Sequence, residues 1–312
     1  MNPAFSVIFL TTLIGAGQGL FLALYTAQVY SAVELLPEQS NGFYVLGSAI
    51  SFALLIAGLV ASFFHLGHPE RAWRAATMWR TSWLSREVIA LPLFMAGLSA
   101  WGAAHFLGWS GTRPLGALVA LSCLGLFVCT AMIYASIKFL REWAHPLTLV
   151  NYTVLGCASG FTLAALLAAL NEPSLLHPYA LGAAALTLIG LISRGLSLRR
   201  NGQLKPKSTL QTALGIKHPQ IVQTSQGFMG GSFNTREFFH GKSALLLRQL
   251  KWLFITLGFV LPMAMLTAGT EAWSPWWFAL AFTLQYVGLL VERWFFFAQA
   301  NHPQNLYYQA VS

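Results

Sequence analysis

His65 and Glu87 are the residues of this chain best suited to acid–base chemistry, and each stands where a long apolar stretch meets a polar one. His65 closes one stretch at the start of HLGHPERAWRAATMWRTSWLSREV, residues 65–88, and Glu87 opens the next. An imidazole with an ordinary pKa near 6.5 takes up and releases protons at cellular pH. A quinone exchanging two electrons and two protons needs such a group within reach of water. A short connection can bring His65 and Glu87 together, one hydrogen-bonding a carbonyl oxygen while the other relays protons. A structural role remains open, with His65 capping its helix and Glu87 pairing with Arg86 or Arg71. Pro69 suits the first turn of a short helix on which Arg71 and Arg74 share a face. Ser85 suits the N-cap of the next helix, with Glu87 in its first turn, where the helix dipole favours an anion. On that geometry Arg71 and Ser85 join His65 and Glu87 as candidate quinone-binding residues. Arg74 and Arg80 are candidates for docking a partner protein.

The elements that position these residues are long and apolar. Eight stretches, near 7–30, 42–64, 88–108, 115–137, 149–170, 176–193, 252–270 and 275–292, consist mainly of apolar side chains. A bilayer core of roughly 30 Å takes about 20 residues of helix, and a helix satisfies its own backbone polar groups there. The pattern predicts an all-α integral membrane protein, a single domain over 1–312 with eight transmembrane helices. Composition agrees: 56% of the residues are hydrophobic and 9% charged, against about 25% charged in a soluble domain. The first stretch lacks a basic leader and outruns a signal peptide's apolar core, so it reads as retained.

Charge is placed unevenly. If the spans alternate, the termini and the connections 65–87, 138–148 and 194–251 share one side, which carries every Lys and Arg except Arg113. Glu34, Glu38, Glu172 and Glu271 fall opposite. Positive charge collects on the cytoplasmic side, which predicts cytoplasmic termini and one long cytoplasmic loop between helices six and seven. Basic charge spread over several membrane-flanking segments suits lipid headgroups or an acidic protein and excludes nucleic acid. The long loop holds HPQIVQTSQGFMGGSFNTREFFHG, residues 218–241, too polar to span and too rich in Phe to float in water. It is expected to form a platform, with Phe228, Phe233, Arg236 and Phe238 docking a partner.

Other chemistries find little support. Cys123, Cys129 and Cys157 lie inside apolar stretches without CxxC spacing, and a cluster needs about four thiolates. The remaining histidines sit at stretch ends or in loops, whereas bis-histidine haem ligation needs them inside. No metal ligation, haem or iron–sulfur cluster is therefore expected in this chain. The chain has no Asp, and no Walker, HExxH or Ser/His/Asp arrangement is found. Glu292 and Arg293 close the last stretch and are candidates for a quinone cavity or for contact with a partner. A small-solute transporter is the alternative of another class; it would place polar residues in series within the spans, where Gln18, Gln28 and Gln285 are scattered exceptions.

The segment 65–88, together with STLQTALGIKHPQIVQTSQGFMGGSFNTREFFHG at 208–241, resembles the membrane anchors of dimethyl sulfoxide reductase-type molybdoenzymes. The Gly-rich platform is most similar to the branch that includes the anchors of cytoplasmic sulfite dehydrogenases. The resemblance spans nearly the whole chain. It implies a complex of three proteins: a molybdopterin catalytic subunit, a ferredoxin-like subunit with four iron–sulfur clusters, and a non-catalytic anchor that binds quinone. In this family the positions matching His65 and Glu87 are implicated in quinol binding. It implies a bacterial inner-membrane location, with ubiquinone or menaquinone as the quinone. The basic face favours sulfite oxidation with quinone reduction; a menaquinol-oxidising reductase anchor is the alternative, since such anchors hold their partners outside.

Overall fold

A computed structural model describes residues 1–205, 208–222, 239–303 and 305. Among them are eight helices long and apolar enough to cross a membrane, and they carry the labels used below. They are α1 (Phe5–Ala32), α2 (Asn41–Phe63), α3 (Trp83–Phe106), α4 (Thr112–Ala135), α5 (Pro146–Asn171), α6 (Leu176–Gly202), α7 (Ala244–Ala272) and α8 (Pro275–Ala298). The eight-helix architecture is that expected from the sequence, and its multi-pass form defines a membrane protein.

The boundaries depart from expectation where charged residues begin. Helix α6 continues to Gly202, so Arg194, Arg199 and Arg200 belong to it and the long connection begins after them, not at 194. Helix α7 begins at Ala244. Helix α8 runs to Ala298, which leaves Glu292 and Arg293 within it rather than at its end. A charge count ends a span where lipid is the only neighbour; Arg194, Arg200, Glu292 and Arg293 have protein neighbours.

Helix α1 lies at the centre, packed against α2, α4, α5 and α8. Apolar side chains gain little by leaving lipid for each other, so close association depends on small residues that let backbones meet. Gly15 and Gly19 on α1 face Gly156 and Gly160 on α5 in this way. A Cβ built on Gly160 would fall 2.0 Å from the Gly19 carbonyl carbon, and one on Gly19 would fall 2.1 Å from the Gly156 oxygen. Around this crossing pack Leu20, Phe21, Leu24, Phe94, Leu98, Trp101, Phe127 and Ala164, all buried. In α7, a π-turn over Thr256–Val260 precedes Pro262. Proline lacks the N–H that would close on residue 258 and its ring crowds that carbonyl, which accounts for the wider turn.

The connection between α2 and α3 forms a 3-10 helix, Pro69–Met78, with proline in its first turn as expected. Three residues per turn eclipse positions i and i+3, so Arg71 and Arg74 share a face. Arg86 pins the end of this segment, its Nε donating to the Trp79 carbonyl at 2.9 Å and its Nη2 to that of Arg80 at 2.8 Å.

Candidate functional site

Helix α3 is capped by Ser82, whose hydroxyl accepts from the Ser85 backbone N–H at 3.4 Å. The expectation that Ser85 is the cap is therefore corrected: the last extended backbone position is three residues earlier. Glu87 consequently lies in the second turn, beyond the first-turn amides. Its environment is set by tertiary packing, with Glu87 only 9% exposed. Thr130 of α4 donates its hydroxyl proton to Glu87 Oε1 at 2.5 Å.

Glu87 and Thr130 border a cavity with about 10 Å3 of space for the centre of a water-sized sphere. Leu10, Thr11, Ile14, Gly15 and Gln18 of α1, Phe127 of α4 and Tyr152 of α5 complete its wall. That volume admits one water and is too small for a six-membered ring. A carboxylate well inside a bilayer costs roughly 2.5–3.5 kcal/mol on insertion scales; here one hydroxyl and the cavity offset that cost. Charge or proton exchange at this carboxyl is the chemistry the arrangement supports.

His65 lies two residues beyond α2 and is exposed. Partial desolvation lowers its pKa below the ordinary histidine value, so it is a neutral hydrogen-bonding and proton-accepting group over most of the cellular pH range. It is not among the residues lining the Glu87 cavity. Gly58 of α2 packs on Ile14, which does line it. His65 follows Gly58 by seven residues, beyond the end of α2.

The other expected residues divide similarly. Ser85 is buried, but two residues along a helix turn it about 200° away from Glu87. Arg71 is exposed, 3.7 Å from Glu70. Arg74 and Arg80 lie against Trp73 and Trp79 at 5.6 and 5.4 Å, and Arg86 against Trp83 at 4.2 Å. This row of guanidinium–indole pairs forms a basic, aromatic surface of the kind that meets headgroups or an acidic partner. Phe228, Phe233, Arg236 and Phe238 lie outside the described residues.

A second polar group joins Glu292 and Arg293, which the sequence offered as candidates, to Arg194, which it did not. Arg194 of α6 meets Glu292 of α8, Nε to Oε1, at 2.6 Å, with the two side chains 2% and 1% exposed. Arg293 adds its Nη2 at 3.7 Å from Glu292 Oε2 and lays its guanidinium over the Tyr152 ring, 3.8 Å from the centroid. Asn151 bridges the neighbouring hydroxyls, accepting from Ser193 and donating to Ser197, both at 2.8 Å. A second small cavity lies beside them, lined by Glu142, His145, Thr148, Asn151, Arg194, Ser197, Arg200 and Asn201 among others. The available signal was charge within an apolar run at 292 and 293; Arg194 gave none, because it stood at the apparent end of a span.

The fold and this site define a multi-pass helical membrane protein with buried ionisable groups and a basic aromatic face. The chain matches the family described as DMSO reductase anchor subunit (DmsC) over residues 1–298 and belongs to that family. A sulfite dehydrogenase subunit from Allochromatium vinosum is 54% identical to it over 325 aligned positions, covering 100% of both chains.

Proposed function

We propose that this chain anchors a sulfite-oxidising molybdoenzyme to the bacterial cytoplasmic membrane and carries the site where quinone is reduced. Three lines support this: membership of the anchor family, the relative's name, and the basic face expected to lie in the cytoplasm. In this reading a molybdopterin subunit oxidises sulfite, and an iron–sulfur subunit, docked on the basic face with Arg74 and Arg80, delivers the electrons. The platform residues Phe228, Phe233, Arg236 and Phe238 belong to the same proposed contact.

The observation that carries the quinone site is Glu87, a buried carboxyl bonded to Thr130 at a cavity wall that combines apolar residues with Gln18. That donor and acceptor set suits a quinone headgroup, but the enclosed volume does not, so the headgroup would dock at the mouth of the cavity. Glu87 then supplies or receives a proton from within, while His65 and Arg71 serve at the surface. Ser85, turned away from Glu87, takes part only through its backbone N–H, which bonds the Ser82 cap. A quinone supplies two-electron chemistry coupled to two protons; the chain supplies position and proton exchange.

The test uses the assembled complex in membranes, comparing quinone-coupled with dye-coupled sulfite oxidation. Glu87→Gln and His65→Gln are expected to lower the former about a hundredfold, the scale of lost general acid–base catalysis, and to leave the latter unchanged. Equal quinone-coupled rates in wild type and Glu87→Gln would refute the site. A reporter fused after Ser312 tests the orientation: a periplasmic signal would favour the menaquinol-oxidising alternative.

A further inference from the structure

We propose that the Arg194–Glu292–Arg293 cluster and Tyr152 form a proton path between the basic membrane face and the Glu87 cavity. The proposal rests on the quinone reading, and what carries it is a continuity of polar groups across α5, α6 and α8. Tyr152 borders the Glu87 cavity on one side and carries the Arg293 guanidinium on the other. Arg293 reaches Glu292, Glu292 reaches Arg194, and Arg194 lines the second cavity. That cavity is walled by Glu142, His145, Arg200 and Asn201, which stand at or beside the ends of α5 and α6 on the basic face.

Every polar residue in this series lies in the same membrane half as Glu87. Several buried atoms along it make no direct hydrogen bond among the described residues: the Tyr152 hydroxyl, Arg194 Nη2, Arg293 Nε and Glu292 Oε2. Buried polar atoms of this kind are ordinarily satisfied by water, and water between them is the medium of proton transfer. The ion pair gives selectivity. A hydrated metal cation cannot pass between a guanidinium and a carboxylate in contact, whereas a proton can bond to a Glu292 oxygen and leave on its other side. Tyr152 passes a proton without net charge by releasing its O–H proton toward Glu87 while accepting one carried by water from Glu292, since the Arg293 guanidinium over its ring does not itself give up a proton.

The balance is complete. Two electrons from the iron–sulfur partner and two protons from the basic face convert one quinone to quinol, with an O–H bond formed at each quinone oxygen. Glu87 gives the proton for one quinone oxygen and is recharged through Tyr152, and His65 gives the other at the surface.

The experiment uses Tyr152→Phe in the intact complex, which removes the hydroxyl and keeps the ring beneath Arg293. Expected are a fall of at least about tenfold in quinone-coupled kcat, a larger solvent deuterium isotope effect, and unchanged quinone KM, quinone Kd and dye-coupled rate. Glu292→Gln should act in the same sense. A wild-type kcat in Tyr152→Phe overturns the path, as does a slower rate with an unchanged isotope effect or with weakened quinone binding. Glu87→Gln separates the two proposals: if it abolishes quinone-coupled turnover while Tyr152→Phe does not, the quinone site stands and the path falls.

Discussion

Replacing Gly160 with Ala tests whether the α1–α5 crossing governs the fold. The added methyl would sit 2.0 Å from the Gly19 carbonyl carbon and 2.1 Å from the Leu20 nitrogen, both backbone atoms that no rotamer change can move. Ordinary contact begins at 3.4 Å, so the helices must part by 3.4 − 2.0, or about 1.4 Å. A gap of 0.5–1 Å already forfeits a quarter to a half of each dispersion contact, and overpacking costs typically about 1–3 kcal/mol. With backbone on both sides the upper end applies, offset by about 1 kcal/mol of helix propensity gained over glycine. The expected net loss is about 2 kcal/mol, roughly thirtyfold in the folding equilibrium. Gly125 of α4 is the control, exposed and with no described atom within 4 Å of a built Cβ. Gly125→Ala should be neutral or stabilising by up to about 1 kcal/mol. Unfolding of both variants in detergent, read by helix signal against denaturant, measures the difference. If Gly160→Ala is as stable as Gly125→Ala, backbone contact does not set this crossing and the account of the core fails.

Arg194→Met leaves Glu292 as a buried, poorly compensated charge and should cost about 3–5 kcal/mol, while adding Glu292→Leu should recover most of it; unfolding midpoints of the single and double variants decide. Ser82→Ala should lower stability by about 1 kcal/mol through loss of the α3 cap, and an equal loss from Ser85→Ala alone would contradict the cap assignment. His145 caps α5 by accepting from the Leu147 N–H at 3.2 Å through Nδ1. Its pKa is lowered, first by desolvation and then by the Arg200 charge. The unfolded chain therefore binds that proton first as pH falls, so stability is full above the ordinary histidine pKa near 6.5 and declines below it. His145→Asn, a cap that does not titrate, should remove part of that decline, measured as unfolding midpoint against pH.

The α3 entry separates what was legible in the sequence from what was not. The apolar runs, the punctuation by Pro69 and the serines, and the basic face were all readable, because each is a local property of composition. Ser82 and Ser85 could not be told apart, since either hydroxyl can close a helix and the choice depends on where the incoming chain turns. Glu87 was singled out in the sequence as a carboxyl at a membrane boundary. Its partners were not: Thr130 lies 43 positions away and meets it only because α3 packs on α4. Of His65 and Glu87, only Glu87 lines the cavity.

Arg194 and Glu292 give the same lesson in charge. Read singly, each marks the end of a span, because an isolated charge belongs in water. Together, 2.6 Å apart, they extend two helices past those apparent ends and place an ion pair inside the bundle. Sequence alone determined the class of protein, the number of spans, the side on which basic charge collects and the family motif, all of which depend on transfer of each segment between water and lipid. Tertiary structure decided which polar groups meet, how deep they lie and which cavities they share. Those outcomes depend on which helix faces are close enough to touch, and at the centre that is set by glycines with no side chain to keep α1 and α5 apart.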